Sequence, residues 1–177
     1  KLRRSINHSE PIMPRLFSSL QLRQLVLSNR IVVSSMLTNA SVDGCATDWH
    51  VMHYGNLAIS GMGMINFEAT AVEATGRIGP RCLGLYSDEA EDALAGVVRF
   101  CRANSETKLG LQLAHAGRKG AIAPDSVPRR AMTAEEGGWP VVSSSAYEDG
   151  IHARPEPLDN AGIKALIEAW KRSTVRA

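Results

Sequence analysis

Lys108-Leu-Gly-Leu-Gln-Leu-Ala-His-Ala-Gly-Arg-Lys119 is a short apolar strand that runs directly into a polar cluster. Leu109, Leu111 and Leu113 recur at the two-residue period that buries one face of a strand. Gln112, His115, Arg118 and Lys119 gather toward its C-terminal end, which in a parallel α/β barrel is where ligands and chemistry sit. Two upstream runs repeat the logic, Arg30-Ile-Val-Val-Ser-Ser-Met-Leu-Thr38 and Met62-Gly-Met-Ile-Asn-Phe-Glu-Ala-Thr70. Three strands that finish in polar edges imply one shared site at the top of a barrel.

The chain around these strands is ordinary in bulk. Its 177 residues suit one domain, and 44% hydrophobic with 21% charged residues is the balance of a globular protein. A net charge of +2 makes no electrostatic case for nucleic acid or an anionic membrane. The cysteines, Cys45, Cys82 and Cys101, form no Cys-x-x-Cys pair, so they read as free thiols of a reducing cytosol rather than a zinc or dithiol site. No apolar run approaches the roughly 20 residues that span a bilayer. Arg3, Arg4 and His8 are followed by no apolar core, which argues against a secretory signal and for a cytoplasmic protein.

Residues 1–15, with Pro11 and Pro14, read as a flexible lead-in. Leu16 to Arg30 alternates apolar and polar residues as a hairpin does, and Ile31 to Met36 is a continuous run of the kind a buried parallel strand needs. A helix is predicted from Thr47 or Asp48 to about Ser60, then a strand from Met64. Ala74 to Tyr86 is a loop, and Ser87-Asp-Glu-Ala-Glu91 caps a helix whose Leu94, Val97, Val98 and Cys101 share a face. After the strand at 108–114, a long connection to Leu158 carries five of the eight prolines. A last helix opens at Asp159, with Ile163, Leu166, Ile167 and Trp170 at helical spacing. The expected fold is therefore α/β: an N-terminal β-hairpin and the first part, about three strands, of a TIM (β/α)8 barrel. A whole barrel needs eight strands and about 250 residues.

Several ordered segments carry a family resemblance: Asn29-Arg-Ile-Val-Val-Ser34, Asp48-Trp-His-Val-Met-His-Tyr54, Glu68-Ala-Thr70, Gly76-Arg-Ile78, Leu83-Gly-Leu-Tyr-Ser-Asp88 and Gln112-Leu-Ala-His-Ala-Gly-Arg-Lys119. From about Leu16 onward the sequence resembles the old yellow enzyme family, most of all its bacterial NADH:flavin oxidoreductases and ene-reductases. The resemblance implies that residues 16–177 are the N-terminal half of a barrel binding FMN non-covalently. NADH or NADPH would reduce the flavin, which passes hydride to the activated C=C bond of a small molecule. It implies that Ser34, Ser35, Met36 and Leu37 lay their backbone along the flavin, that Ala69 is the small residue near the ring, and that Gln112 meets the pyrimidine edge. Departures stand at Ser35, where this branch often has Pro, at Leu37, where a Cys or Thr tunes the flavin, and at Asn39, often Tyr. Leu37 cannot donate a hydrogen bond, so either Thr38 substitutes with a local shift or the flavin is tuned differently. The family's substrate-gripping His pair, or His and Asn, and its proton-donating Tyr belong to a fourth strand and are expected beyond residue 177.

Each candidate has a plainer competitor. Gln112 competes with a strand-end amide satisfied by neighbouring backbone. His115, Arg118 and Lys119 compete with a salt-bridged loop start. His50 and His53, three apart on a helix, lack a third metal ligand and read as packing residues. Glu68 reads as a buried carboxylate paired with a cation before it reads as a general base, and Arg30 as half of a buried ion pair. Gly61-Met-Gly63 precedes a strand and lacks the dinucleotide fingerprint's third Gly, and Ser143 to Ser145 has no nucleophile-elbow context. The functional expectation is an FMN-dependent oxidoreductase. The alternative is a truncated, non-catalytic half-barrel that self-associates as a homo-oligomer or binds a complementing C-terminal half, and a third possibility is a longer gene product.

Overall fold

The computed structural model describes residues 14–177, so nearly all of the lead-in expected over 1–15 lies outside the described residues. The hairpin forms as two three-residue strands, β1 (Leu20–Leu22) and β2 (Leu25–Leu27), paired antiparallel. Leu27 is buried, while Leu22, Leu25 and Val26 stay exposed. Arg30 corrects its expectation. Its guanidinium donates to Ser18 Oγ and the Ser19 carbonyl and makes no ion pair among the described residues, so it ties the hairpin by neutral hydrogen bonds.

Three parallel strands come next, in spatial order β3 (Val32–Val33), β4 (Met64–Ala71) and β5 (Lys108–Ala114). The first is shorter and more open than its apolar run suggested. Only Val32 and Val33 pair with β4, Val32 is exposed, and the chain leaves the ladder at Ser34. Among the described residues β3 has one strand neighbour, and burial of an apolar run needs cover on both faces and edges.

Helices α1 (Asp48–Ile59) and α2 (Asp88–Asn104) cover one face of this sheet. Thr47 is the N-cap of α1, and the Thr47 N–H donates to His50 Nδ1 at 2.9 Å, satisfying an otherwise orphaned helix donor. Ser87 caps α2 by accepting from the Ala90 N–H at 3.2 Å, with Asp88, Glu89 and Glu91 in the dipole-favoured first turn. The core lies between: Tyr54 and Ala58 of α1, Ile65 and Phe67 of β4, Leu94 and Val97 of α2. Leu109, Leu111 and Leu113 of β5 pack partly buried against it.

A bulge at Glu68 changes the phase of β4. Phe67 pairs with Leu111, but Ala69, not Glu68, pairs with Gln112. Phe67 and Glu68 therefore both turn toward the helices, and Ala69 and Ala71 take the opposite face with Gln112 and Ala114. One extra residue brings the strand's C-terminal end into step with the rim.

The connection from 115 to 158 contains two further short strands, β6 (Val142–Ser143) and β7 (Glu156–Pro157), paired parallel, for which the sequence carries no clear local signal. Helix α3 (Asn160–Arg176) starts where Asp159 Oδ1 accepts from the Gly162 N–H at 2.7 Å. Its apolar stripe is not its buried face: Ile163, Ile167 and Trp170 remain exposed, while Ala169 and Ser173 are buried. Small residues make the contact because α3 docks closely. Ser173 Oγ lies 3.3 Å from the Val72 carbonyl and 3.0 Å from that of Leu85, and Arg176 pairs with Asp88 and Glu91. Ser173→Ala is expected to lower the unfolding free energy by about 1–3 kcal/mol, read from a urea melt, because two buried carbonyls lose a donor.

Candidate functional site

The C-terminal ends of β3, β4 and β5 form one rim. On leaving β3, Ser35 Oγ donates to the Phe67 carbonyl at 2.9 Å, which holds this loop beside the middle of β4, just before the bulge. The backbone N–H groups of Ser35, Met36 and Leu37 find no acceptor among the described residues, and Ser34, Met36 and Leu37 are exposed. Ala69 sits beside Gln112 as its strand partner. The Gln112 side chain is exposed and has no hydrogen-bond partner among the described residues, so the backbone-satisfied reading of this residue does not hold. Ala69, Ala71, Gln112, Ala114 and His115 line a cavity of about 170 Å³. A second cavity of about 470 Å³ begins at Leu37 and Asn39 and shares Ile78 with the first.

Beneath the rim lies a closed polar cluster. Glu68 is fully buried and accepts from both the N–H of Thr38, at 3.0 Å, and its hydroxyl, at 2.5 Å. The Glu68 N–H donates to the Tyr54 hydroxyl at 2.9 Å, and that hydroxyl points back to Glu68 Oε1 at 3.4 Å. His50 Nε2 stands 3.6 Å from the same oxygen, longer than an ordinary hydrogen bond. Because His50 Nδ1 accepts from the Thr47 N–H, it is Nε2 that presents its proton to the carboxylate. Hydroxyls, a backbone N–H and the His50 imidazole hold Glu68, and among the described residues no lysine or arginine pairs with it. Burial alone raises its pKa, but these donors from His50 and Thr38 outweigh that and hold the carboxyl below its ordinary value. Burial pushes Tyr54 well above the usual phenol range, so it remains a neutral donor. The cluster pins Thr38 and, through it, the end of the loop that begins at Ser34.

The polar residues after β5 divide. His115 Nδ1 accepts from the Gly117 N–H at 2.9 Å, so Nε2 carries the proton that meets Glu73 Oε1 at 2.9 Å. Arg118 lies over the Tyr147 ring at 5.5 Å, and Lys119 is exposed. His53 stacks on Trp49 at 4.6 Å while His50 turns inward, so the two imidazoles serve different neighbours. The sequence does not single out Glu73, and it marks Cys82 only as a free thiol. Cys82 is buried at the wall of the smaller cavity, its thiol pushed up by burial. Neither belongs to a local period. Glu73 meets His115 across 42 positions.

Residues 15–177 match the NADH:flavin oxidoreductase / NADH oxidase family. The chain is 38% identical over 167 residues to an NADPH dehydrogenase of Listeria welshimeri, covering 93% of this chain and 45% of that one. Morphinone reductase superposes with a TM-score of 0.77 at 26% identity, covering 93% of this chain and 45% of that structure. A structure of morphinone reductase in complex with tetrahydroNAD gives 0.76 at 25% identity, over 92% and 46%. The chain thus spans about 45% of the length of these relatives. Three parallel strands with helices outside and a polar C-terminal rim are the corresponding part of an α/β barrel. This chain belongs to the NADH:flavin oxidoreductase / NADH oxidase family.

Proposed function

We propose that the rim binds FMN and contributes part of the site of an old yellow enzyme-type oxidoreductase, in which NADH or NADPH is the reductant and an activated alkene the acceptor. The observation that carries this reading is a row of donors without partners among the described residues: three consecutive backbone N–H groups at Ser35–Leu37 and the Gln112 amide, whose strand partner is the small Ala69. The donor set fits the group. An amide both donates and accepts, which suits a ring edge that alternates carbonyl and N–H, and backbone N–H groups suit ring acceptors. Ala69 leaves room for a flat face, and His115, fixed by Glu73, forms part of the cavity wall. When bound, FMN supplies the hydride chemistry, and the residues here supply position and electrostatics. Leu37 offers the ring a side chain without a donor, and Thr38 is committed to Glu68, so tuning at this edge falls to the backbone. The three free cysteines accord with a reducing, cytosolic setting; no helix among the described residues is long and apolar enough to cross a membrane.

FMN titration followed by flavin fluorescence tests the reading. Near-stoichiometric uptake is expected, and a folded chain that takes up no FMN would overturn it. Gln112→Leu is expected to raise the FMN Kd about tenfold, the loss of one well-made polar contact. The thermal midpoint should not move, because the amide has no intramolecular partner among the described residues. A second reading rests on the exposed Ile163, Ile167 and Trp170 of α3: association with a complementing half or a second copy. Gel filtration decides it, since a 19.1 kDa monomer with one cooperative melt contradicts association.

A further inference from the structure

The larger cavity differs from the smaller one in charge. At about 470 Å³ it lies in the size range of small-molecule sites. Its walls mix apolar side chains, Leu37, Ile78 and Ile122 among them, with polar ones, and two guanidinium groups, Arg81 and Arg129, stand on its lining. Arg81 is paired with Asp125 at 3.1 Å. Arg129 makes no hydrogen bond or ion pair among the described residues, whereas its neighbour Arg130 is tied to Glu136 by two bonds. With Asp125 offsetting Arg81, the lining keeps one uncompensated positive charge. The cavity also opens from the flavin rim, through Leu37 on one side and the shared Ile78 on the other. A ligand lying against that rim would extend along an apolar wall toward a guanidinium.

We propose that this cavity takes the anionic end, a carboxylate or a phosphate, of the ligand that stacks on the flavin, with Arg129 as its counter-ion. The inference rests on the flavin reading above. Arginine suits the role because its planar fork meets either oxyanion through two parallel hydrogen bonds and stays charged at every working pH. Two ligands of the site could carry such a group: the nicotinamide reductant, through an added phosphate, or the alkene substrate, through a remote carboxylate. Each would align its apolar part with Leu37 and Ile78.

The test is equilibrium binding to the FMN-loaded chain, read from the flavin absorbance difference and independently by calorimetry. One arm compares NADP+ with NAD+; the other compares trans-4-oxo-2-pentenoate with its methyl ester. Arg129→Gln is expected to weaken the more anionic member of one pair about tenfold and its counterpart less than twofold. Retained FMN should be unchanged. The arm that responds identifies the source of the anion. Arg129→Lys should restore part of the affinity, and Asp125→Asn, which releases Arg81, should tighten the same ligand about threefold. The proposal is overturned if Arg129→Gln leaves all four probes unchanged, or weakens both members of each pair equally. If the chain takes up no FMN but calorimetry still shows Arg129-dependent binding of the anionic probe, only the flavin reading fails.

Discussion

Glu68→Leu is expected to lower the unfolding free energy by about 3–5 kcal/mol, the cost of removing one member of a buried, hydrogen-bonded polar set. In a domain of this size that is a fall of roughly 6–20 °C in thermal midpoint by circular dichroism. The side chain that disappears satisfies the Thr38 N–H and hydroxyl, and it faces the Tyr54 hydroxyl and His50 Nε2. Leucine fills the space and leaves those donors without an acceptor. Glu68→Gln keeps the shape and one acceptor oxygen, so its cost should be smaller, but its pH dependence should change. The Glu68 carboxyl is held below its ordinary value in the folded state. Its contribution is therefore complete above the unfolded glutamate pKa, about 4.3, and is lost as pH falls through the lower folded pKa. The urea midpoint of the parent chain should fall more steeply with acid than that of Glu68→Gln. Equal slopes would mean that Glu68 is not held as a carboxylate. Because the cluster also pins Thr38, Glu68→Leu should weaken FMN uptake alongside stability, whereas Gln112→Leu should affect uptake alone.

Gly63→Ala is expected to cost about 3 kcal/mol, the upper part of the usual range for overpacking. An added Cβ at this position falls well inside contact distance of the Asn29 carbonyl oxygen, which is backbone and cannot rotate away. The Gly63 N–H is bound to both the Ile31 carbonyl and Asn29 Oδ1 at 3.0 Å, so the residue is fixed where the hairpin exit meets the start of β4. Gly61, two positions earlier, is the internal control. Its φ is +78°, but nothing lies within 4 Å of an added Cβ. Gly61→Ala should therefore cost only the strain of a left-handed backbone, about 1–2 kcal/mol. Urea melts of the two variants measure the difference; a Gly61 variant more damaged than the Gly63 variant would show that the close approach to Asn29 is not the constraint at this junction.

The elements that sequence reasoning recovered are those whose signal is local. The alternation at 108–114, the Ser87 cap before three acids, and the Asp159 cap of α3 each concern residues within a turn or two, and each element forms at about the expected bounds. Burial follows a different rule. The apolar run at 31–36 gives a two-residue strand because burial depends on neighbours far away in the chain. The large residues of α3 stay exposed while Ala169 and Ser173 are buried, because tight docking selects small side chains regardless of helical amphipathicity.

The candidate site divides along the same line. Sequence alone determined the family's ordered motifs, the polar strand ends and the element order, since these depend on residue type and short-range period. Tertiary structure decided the rest: the bulge that puts Ala69 beside Gln112, the cluster that joins Glu68 to Tyr54 and Thr38, 14 and 30 positions away, and Arg129 at the cavity that begins at Leu37. A strand's phase and a buried group's partners are set by packing between distant segments, and no local pattern encodes them.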